Sequence, residues 1–261
     1  MSRLVFDIGG THTRIAIAEN GVLTQLEKVP TPQDPKEAVE LMRAYALAQG
    51  VHLTDIVGGI AGVVADGVIV RCSPYLPQWQ GFDMRGELSK ALTVPVQVYN
   101  DAELAALGET LAGAGKGHGI VGYLTIGTGV GGALIVNGGP VPHVEGHEPG
   151  KQVLDYESGA TLESLVGGTA LAAEFGMPAS ELPRAVYEER TSVLATGIYN
   201  TIRIWSPDIF ILNGPLMNDE NGFVLEEVSR ELAKIAGDVP MPPLAHAALG
   251  DLSGLTGAML R

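Results

Sequence analysis

The chain is expected to fold as an α/β protein made of two similar halves. Strand-like and helix-like stretches alternate along most of its 261 residues, the pattern of α/β architectures. Each half opens in the same way, with an apolar strand, a glycine-rich turn and a second strand. A glycine-rich segment at 113–119 (GAGKGHG) separates the two openings.

Residues 3–8 (RLVFDI), 14–18 and 22–28 read as strands joined by glycine or polar turns. Apolar residues at helical spacing predict a helix over 34–49. Strands at 56–61 and 67–71, a helix at 83–92, a strand at 96–99 and a helix at 101–114 follow. The second half has strands at 119–126 and 131–137 and a short extended piece at 140–143. Helices are expected to fill most of 158–205. A strand at 208–212, a helix at 223–236, a strand at 244–249 and a terminal helix at 253–260 close the chain.

Composition narrows the function. With 46% hydrophobic residues the chain has ample material for a core, which excludes intrinsic disorder. Sixteen basic against 30 acidic side chains give a net charge of −14. That excess argues against wrapping nucleic acid, which needs clustered Lys and Arg. A small phosphorylated ligand needs only local donors and stays open. Cys72 is the single cysteine, so neither an internal disulfide nor a multi-cysteine zinc site is available. A reducing cytoplasm fits this usage. No secretory signal pattern and no long uninterrupted apolar stretch occur, so no membrane association is expected.

Two glycine turns carry the first chemical signal. One runs from Asp7 through Gly9, Gly10, Thr11 and Thr13 to Arg14. The other runs from Thr125 through Gly127, Thr128, Gly129 and Gly131 to Gly132. Such glycines are expected to take positive φ and let the backbone approach a ligand. Successive N–H groups in such turns form an anion nest, and threonine hydroxyls add donors. Asp7, at the end of the first strand, is the right group to hold a hydrated Mg²⁺ near phosphates. Two ordinary β-hairpins would also use glycine here. Two turns of one kind, one per half, with the acid in the first, favour phosphate binding. Neither turn matches a P-loop or a dinucleotide fingerprint.

The second signal is Asn100-Asp101-Ala102, between the strand at 96–99 and the helix that follows. A carboxylate at the carboxyl end of a strand is where open α/β sheets place chemistry. Phosphoryl transfer to an alcohol needs a group to accept the hydroxyl proton. Asp101 is the candidate base, with Asn100 orienting the same alcohol. Both residue types are also favoured helix N-caps, and from the sequence that reading stands beside the catalytic one.

Together these segments resemble the ROK family of sugar kinases, within the actin-like, hexokinase-related superfamily. The likeness rests on five motifs in order over nearly the whole chain: the DxGGTxxR pattern at 7–14, Ser73-Pro74-Tyr75-Leu76-Pro77-Gln78-Trp79, Asn100-Asp101-Ala102, TxGTGxGG at 125–132, and the ending at 249–258. The resemblance implies a two-lobed actin-like ATPase (ribonuclease H-like) fold with its active site in the interlobe cleft. The lobes would span 1–115 and 116–261, the terminal helix packing back on the first. It implies ATP-dependent phosphorylation of a hexose or N-acetyl-hexosamine hydroxyl, with ATP and Mg²⁺ as cofactors and a homodimer as the assembly.

Carried over by position, Asp101 would be the general base. Gly62, Ser73, Asn100, Glu148, Lys151 and Glu163 would bind the sugar. Asp7, Gly9, Gly10, Thr11, Thr13, Thr128, Gly129, Gly131 and Gly214 would bind the nucleotide and its metal. The family's E-x-G-H and zinc loop with three cysteines are replaced by EGHEPGKQVLDYESGATLE at 145–163, so no zinc is expected. Glu148-Pro149-Gly150-Lys151 fits E-x-G-H with Lys for His. A second register through Gly146-His147 puts Val144, which cannot accept a hydroxyl proton, in the Glu position. His147 is then a supporting residue, and Trp79, Trp205 and Cys72 are expected to be packing residues. The rival functions are a non-catalytic sugar sensor of the same family, a member of the fold with degraded activity, and a kinase for a non-sugar acceptor.

Overall fold

The computed structural model describes residues 2–73 and 75–261; Met1 and Pro74, the latter within the Ser73–Trp79 motif, lie outside the described residues. The chain divides into two compact units. The first runs to Leu111 and takes in Leu252–Arg261, and the second is Ala112–Asp251.

In the first unit, β1 (Ser2–Ile8), β2 (His12–Glu19), β3 (Val22–Pro30), β4 (Leu53–Ile60) and β7 (Val96–Asn100) form one sheet in the order β3-β2-β1-β4-β7. The β1–β2–β3 pairs are antiparallel and the β1–β4–β7 pairs parallel. Leu4, Val5, Phe6 and Ile8 are all fully buried, because β1 is central and covered on both faces. Gly58 on β4 makes room for Phe6: a Cβ there would lie 2.4 Å from the ring. Helix α1 (Pro35–Gln49) starts where Asp34 accepts the Lys36 N–H and ends at Gly50 with φ 64°. Helix α2 (Met84–Leu92) and a short hairpin, β5 (Gly62–Ala65) with β6 (Val68–Cys72), complete this side.

Strand β5 was not expected. Gly62 takes φ 131°, which ends β4 and turns the chain back onto Arg71 and Cys72. Helix α3 (Asp101–Ala112) crosses the terminal helix α8 (Ser253–Leu260) at very short range. A Cβ at Gly257 would lie 1.8 Å from the Leu104 carbonyl oxygen, and one at Gly108 would lie 2.2 Å from that of Ser253. The fully buried Glu109 accepts the Ser253 hydroxyl at this crossing, at 2.7 Å.

The second unit repeats the strand order. Strands β8 (Ile120–Ile126), β9 (Val130–Val136), β10 (Gly139–Pro140), β11 (Ile209–Asn213) and β12 (Leu244–His246) run β10-β9-β8-β11-β12, with β8–β9–β10 antiparallel and β8–β11–β12 parallel. Gly122 on β8 admits the Phe210 ring much as Gly58 admits Phe6. Helices α4 (Leu162–Val166), α5 (Gly168–Phe175), α6 (Arg184–Trp205) and α7 (Leu225–Ala236) pack around this sheet, burying Leu124, Tyr187, Leu194, Ile198 and Phe223.

Helices fill most of 158–205, as expected, beginning at Leu162. Residues 158–161 precede them without being helical, because a Val153–Thr161 bridge and Gly159 at φ 70° close a turn there. A reciprocal Thr161–Ser164 capping box then starts α4. The strand expected at 244–249 ends at His246, and the piece expected at 140–143 is Gly139–Pro140.

Candidate active site

In the first unit the parallel register aligns the carboxyl ends of three strands. Ile8 pairs with Ile60, and Ile60 with Asn100. The chain leaves these ends through the Asp7–Arg14 turn, through Gly62 and through Asp101. Ligands of open α/β sheets bind outside such strand ends.

Asp7 is partly buried, faces Arg14 across the β1–β2 pair, and lies 3.7 Å from its guanidinium. Gly254 of α8 also abuts it: a Cβ there would lie 2.9 Å from the Asp7 carboxyl carbon. The Gly9 N–H donates to the His12 carbonyl at 3.0 Å, which closes the turn. Gly10 lies under the Tyr75 ring, 3.1 Å from where a Cβ would stand. Thr11 and His12 are exposed. Thr13 corrects the expected nucleotide role. It is fully buried, its hydroxyl donates to Thr31 Oγ1 at 3.2 Å, and Thr31 donates to the Gly9 carbonyl at 2.8 Å. Thr13 braces the turn from below.

The structure separates the two roles that Asn100 and Asp101 shared in the sequence. The Asn100 side-chain oxygen accepts the Glu103 N–H at 3.0 Å, so Asn100 is the helix cap. Its amide nitrogen donates to the Gly62 carbonyl at 2.9 Å. Asp101 opens α3 at the first helical position, with Oδ1 accepting the adjacent Ala102 N–H at 2.9 Å. Gly59 lets α3 approach this closely: a Cβ there would lie 2.9 Å from the Asp101 Cα. Ser73 follows β6, near Gly62, and its hydroxyl oxygen accepts the Tyr75 N–H at 3.4 Å. Gly62, Ser73, Asn100 and Asp101 are thus one group.

The second unit gathers another group around the Gly127–Gly132 turn. None of these glycines has positive φ, contrary to expectation. Their small size serves close packing instead. A Cβ at Gly129 would lie 2.4 Å from Glu163 Oε2, and one at Gly132 would lie 2.6 Å from Pro149. The Gly168 and Thr169 N–H groups at the start of α5 donate to the Gly127 and Thr128 carbonyls at 2.8 and 3.0 Å. Gly131 pairs with Thr125 across β8–β9. Gly214 does need its positive φ of 101°, and a Cβ there would strike the Ile126 carbonyl oxygen at 2.3 Å. It therefore lies beside the same turn.

Glu163 and Lys151 belong to this group. Glu163 Oε2 accepts the Val130 N–H at 2.9 Å, and Oε1 pairs with the Lys151 ammonium. Glu148 leads into the single 3-10 turn Pro149–Lys151, and its carbonyl accepts the Lys151 N–H at 3.0 Å. The His147 ring is edge-on between His143 at 5.2 Å and Trp205 at 5.4 Å.

Trp79 is fully buried and donates to the Pro32 and Gln33 carbonyls, as a packing residue does. Cys72 is only half-buried. Tyr75, Val130 and Gly254 stood in the sequence only as positions within motifs, with no role of their own, and Thr31, Gly168 and Thr169 were not singled out. Gly168 carried a signal of its own, since it opens a helix where a better helix former would otherwise stand.

Two α/β units with one strand order, each with a glycine turn after its first strand, define the two-lobed actin-like ATPase class. Within it the chain belongs to the ROK family, whose family model matches residues 3–150. A fructokinase from Pediococcus pentosaceus is 30% identical over 97% of this chain and 95% of its own. Among solved structures, the ROK hexokinase from Thermus thermophilus is 27% identical with a TM-score of 0.82, covering 100% of this chain and 97% of that one. A ROK family glucokinase from Streptomyces griseus, in complex with glucose and AMPPNP, is 25% identical with a TM-score of 0.83, covering 99% and 98%. Among the described residues, no helix is long and apolar enough to cross a membrane.

Proposed function

We propose that the protein is an ATP-dependent sugar kinase that phosphorylates a hexose or N-acetyl-hexosamine hydroxyl, with Asp101 as general base. The observation that carries this reading is the division of labour at the start of α3. Asn100 makes the cap hydrogen bond to the Glu103 N–H, so the cap role does not explain Asp101. A carboxylate at the amino end of a helix, beyond a parallel strand, is placed to accept a proton from an alcohol. Asn100, anchored on Gly62, with Ser73 beside it, would orient that alcohol.

The nucleotide reading draws support from the relative that holds AMPPNP and from the two glycine turns. Thr11 in the first turn would be a phosphate-binding residue of its unit, and Thr128 and Gly129 in the second would be those of theirs. Among the described residues no group of three or more His, Cys, Asp or Glu could hold a metal ion. The carboxylate of Asp7 suits Mg²⁺, which keeps most of its waters and takes the rest of its ligands from phosphates. The ion would neutralise charge on the transferred group. We place the protein in the cytoplasm, which suits its single cysteine, and as a homodimer.

A coupled ADP-release assay over a panel of hexoses and N-acetyl-hexosamines tests the reading. Sugar-dependent ADP release by the wild type, cut by about 10²–10⁴-fold in Asp101→Asn, is expected. Binding of a sugar without any ADP release would turn the reading to a non-catalytic sensor.

A further inference from the structure

We propose that Lys151 is a positioning residue for the nucleotide turn: its ammonium holds the Glu163 carboxylate on the Val130 N–H and so fixes the shape of Gly127–Gly132. The inference rests on the sugar-kinase reading for its functional consequence. It differs from the role that family resemblance suggests for both residues, contact with sugar.

The geometry is that of a clasp. Glu163 uses one oxygen for the Val130 N–H at 2.9 Å and the other for Lys151. The carboxylate lies flush against Gly129, where a Cβ would be 2.4 Å from Oε2. It therefore fills the space beside the turn and orders the peptide that follows Gly129. The backbone of Lys151 is itself fixed. Gly150 lies so close to β9 that a Cβ would meet the Val130 carbonyl oxygen at 2.2 Å. The next residue, Gln152, donates to the Pro149 and Gly197 carbonyls at 2.8 and 3.2 Å, and accepts from Asn200 at 3.1 Å. The Lys151 side chain is 52% exposed, against 24% for Glu163.

A pair this exposed contributes little to overall stability. Its effect is local and directional. A charge-assisted hydrogen bond fixes the carboxylate rotamer, and the carboxylate fixes an amide of the turn. Without Lys151 the carboxylate gains a second staggered orientation and water competes for it. The Val130 N–H then loses a steady partner. Nucleotide affinity depends on that amide segment, whereas melting temperature barely does.

The test compares wild type with Lys151→Met and Lys151→Arg. The Val130 amide resonance is followed by ¹⁵N–¹H NMR without ligand, and Mg²⁺–AMPPNP affinity by calorimetry. Lys151→Met should shift the Val130 amide upfield and speed its hydrogen exchange, and should weaken AMPPNP about tenfold, the scale of one charged hydrogen bond. Sugar affinity should change less than AMPPNP affinity, the melting temperature should hold, and arginine should restore the amide position. An unmoved Val130 amide, or an unchanged AMPPNP affinity in a wild type that binds it, overturns the proposal. So does an arginine variant that behaves like methionine. A wild type that binds no AMPPNP removes the kinase reading instead, and the Val130 amide then decides the clasp by itself.

Discussion

Asn100 Oδ1 accepts the Glu103 backbone N–H at 3.0 Å, so the helix that begins at Asp101 is capped by the residue before it. The two neighbours therefore make separable forecasts. Asp101→Asn keeps size and the bond to the Ala102 N–H, and removes the proton acceptor. Turnover on the best sugar should fall by about 10²–10⁴-fold while the melting temperature holds. Near-normal turnover would take Asp101 out of the mechanism. Asn100→Ala loses the cap and the tether to Gly62, and should lower stability by about 1 kcal/mol in urea unfolding.

Gly129→Val places a branched side chain against Glu163, since even a Cβ would lie 2.4 Å from Oε2. The backbone itself is unstrained, because Gly129 does not have positive φ. The expected result is displacement of the Glu163 carboxylate from the Val130 N–H. AMPPNP binding should weaken while far-ultraviolet circular dichroism stays native. Undiminished affinity by calorimetry would show that the turn is only a hairpin.

The α3–α8 crossing leaves no room for a methyl group. Gly257→Ala would put a Cβ 1.8 Å from the Leu104 carbonyl oxygen, a backbone atom that cannot step aside alone. Overpacking of this kind typically costs about 1–3 kcal/mol, and this contact belongs at the upper end. A chemical denaturation midpoint equal to wild type would contradict the crossing geometry.

Burial, with the nearby Glu27 carboxylate adding to it, raises the Tyr45 phenol to about 12. Its hydroxyl also donates to the Gln25 carbonyl at 2.5 Å. An unfolded tyrosine titrates near 10. The folded pKa is the higher one, so this contribution is complete below about pH 10 and is lost as pH rises through about 12. Stability measured by urea unfolding should decline over that window. Tyr45→Phe should be less stable at neutral pH and show a shallower alkaline decline.

The sequence by itself determined the α/β class, the duplicated strand–turn–strand opening and most element positions. Those features are written in local periodicity and in glycine placement, which act over a few residues. It also brought Asp7, Asp101 and both glycine turns forward, because those motifs are contiguous. What it could not decide depends on partners far along the chain. Asn100 is tethered through its amide nitrogen to Gly62, 38 residues away in sequence, and its side-chain oxygen is the one that caps α3. The reason for the glycines of the second turn was likewise tertiary. Sequence suggested freedom of φ, but the structure shows room for the Glu163 carboxylate, the Pro149 ring and the start of α5. Thr13 was misread for the same cause, since a threonine in a phosphate-like motif and a threonine buried on Thr31 look alike until the strands pair. The Lys151–Glu163 clasp was illegible in spacing alone. A capped helix and a bridged turn had to fold before those two charges could meet.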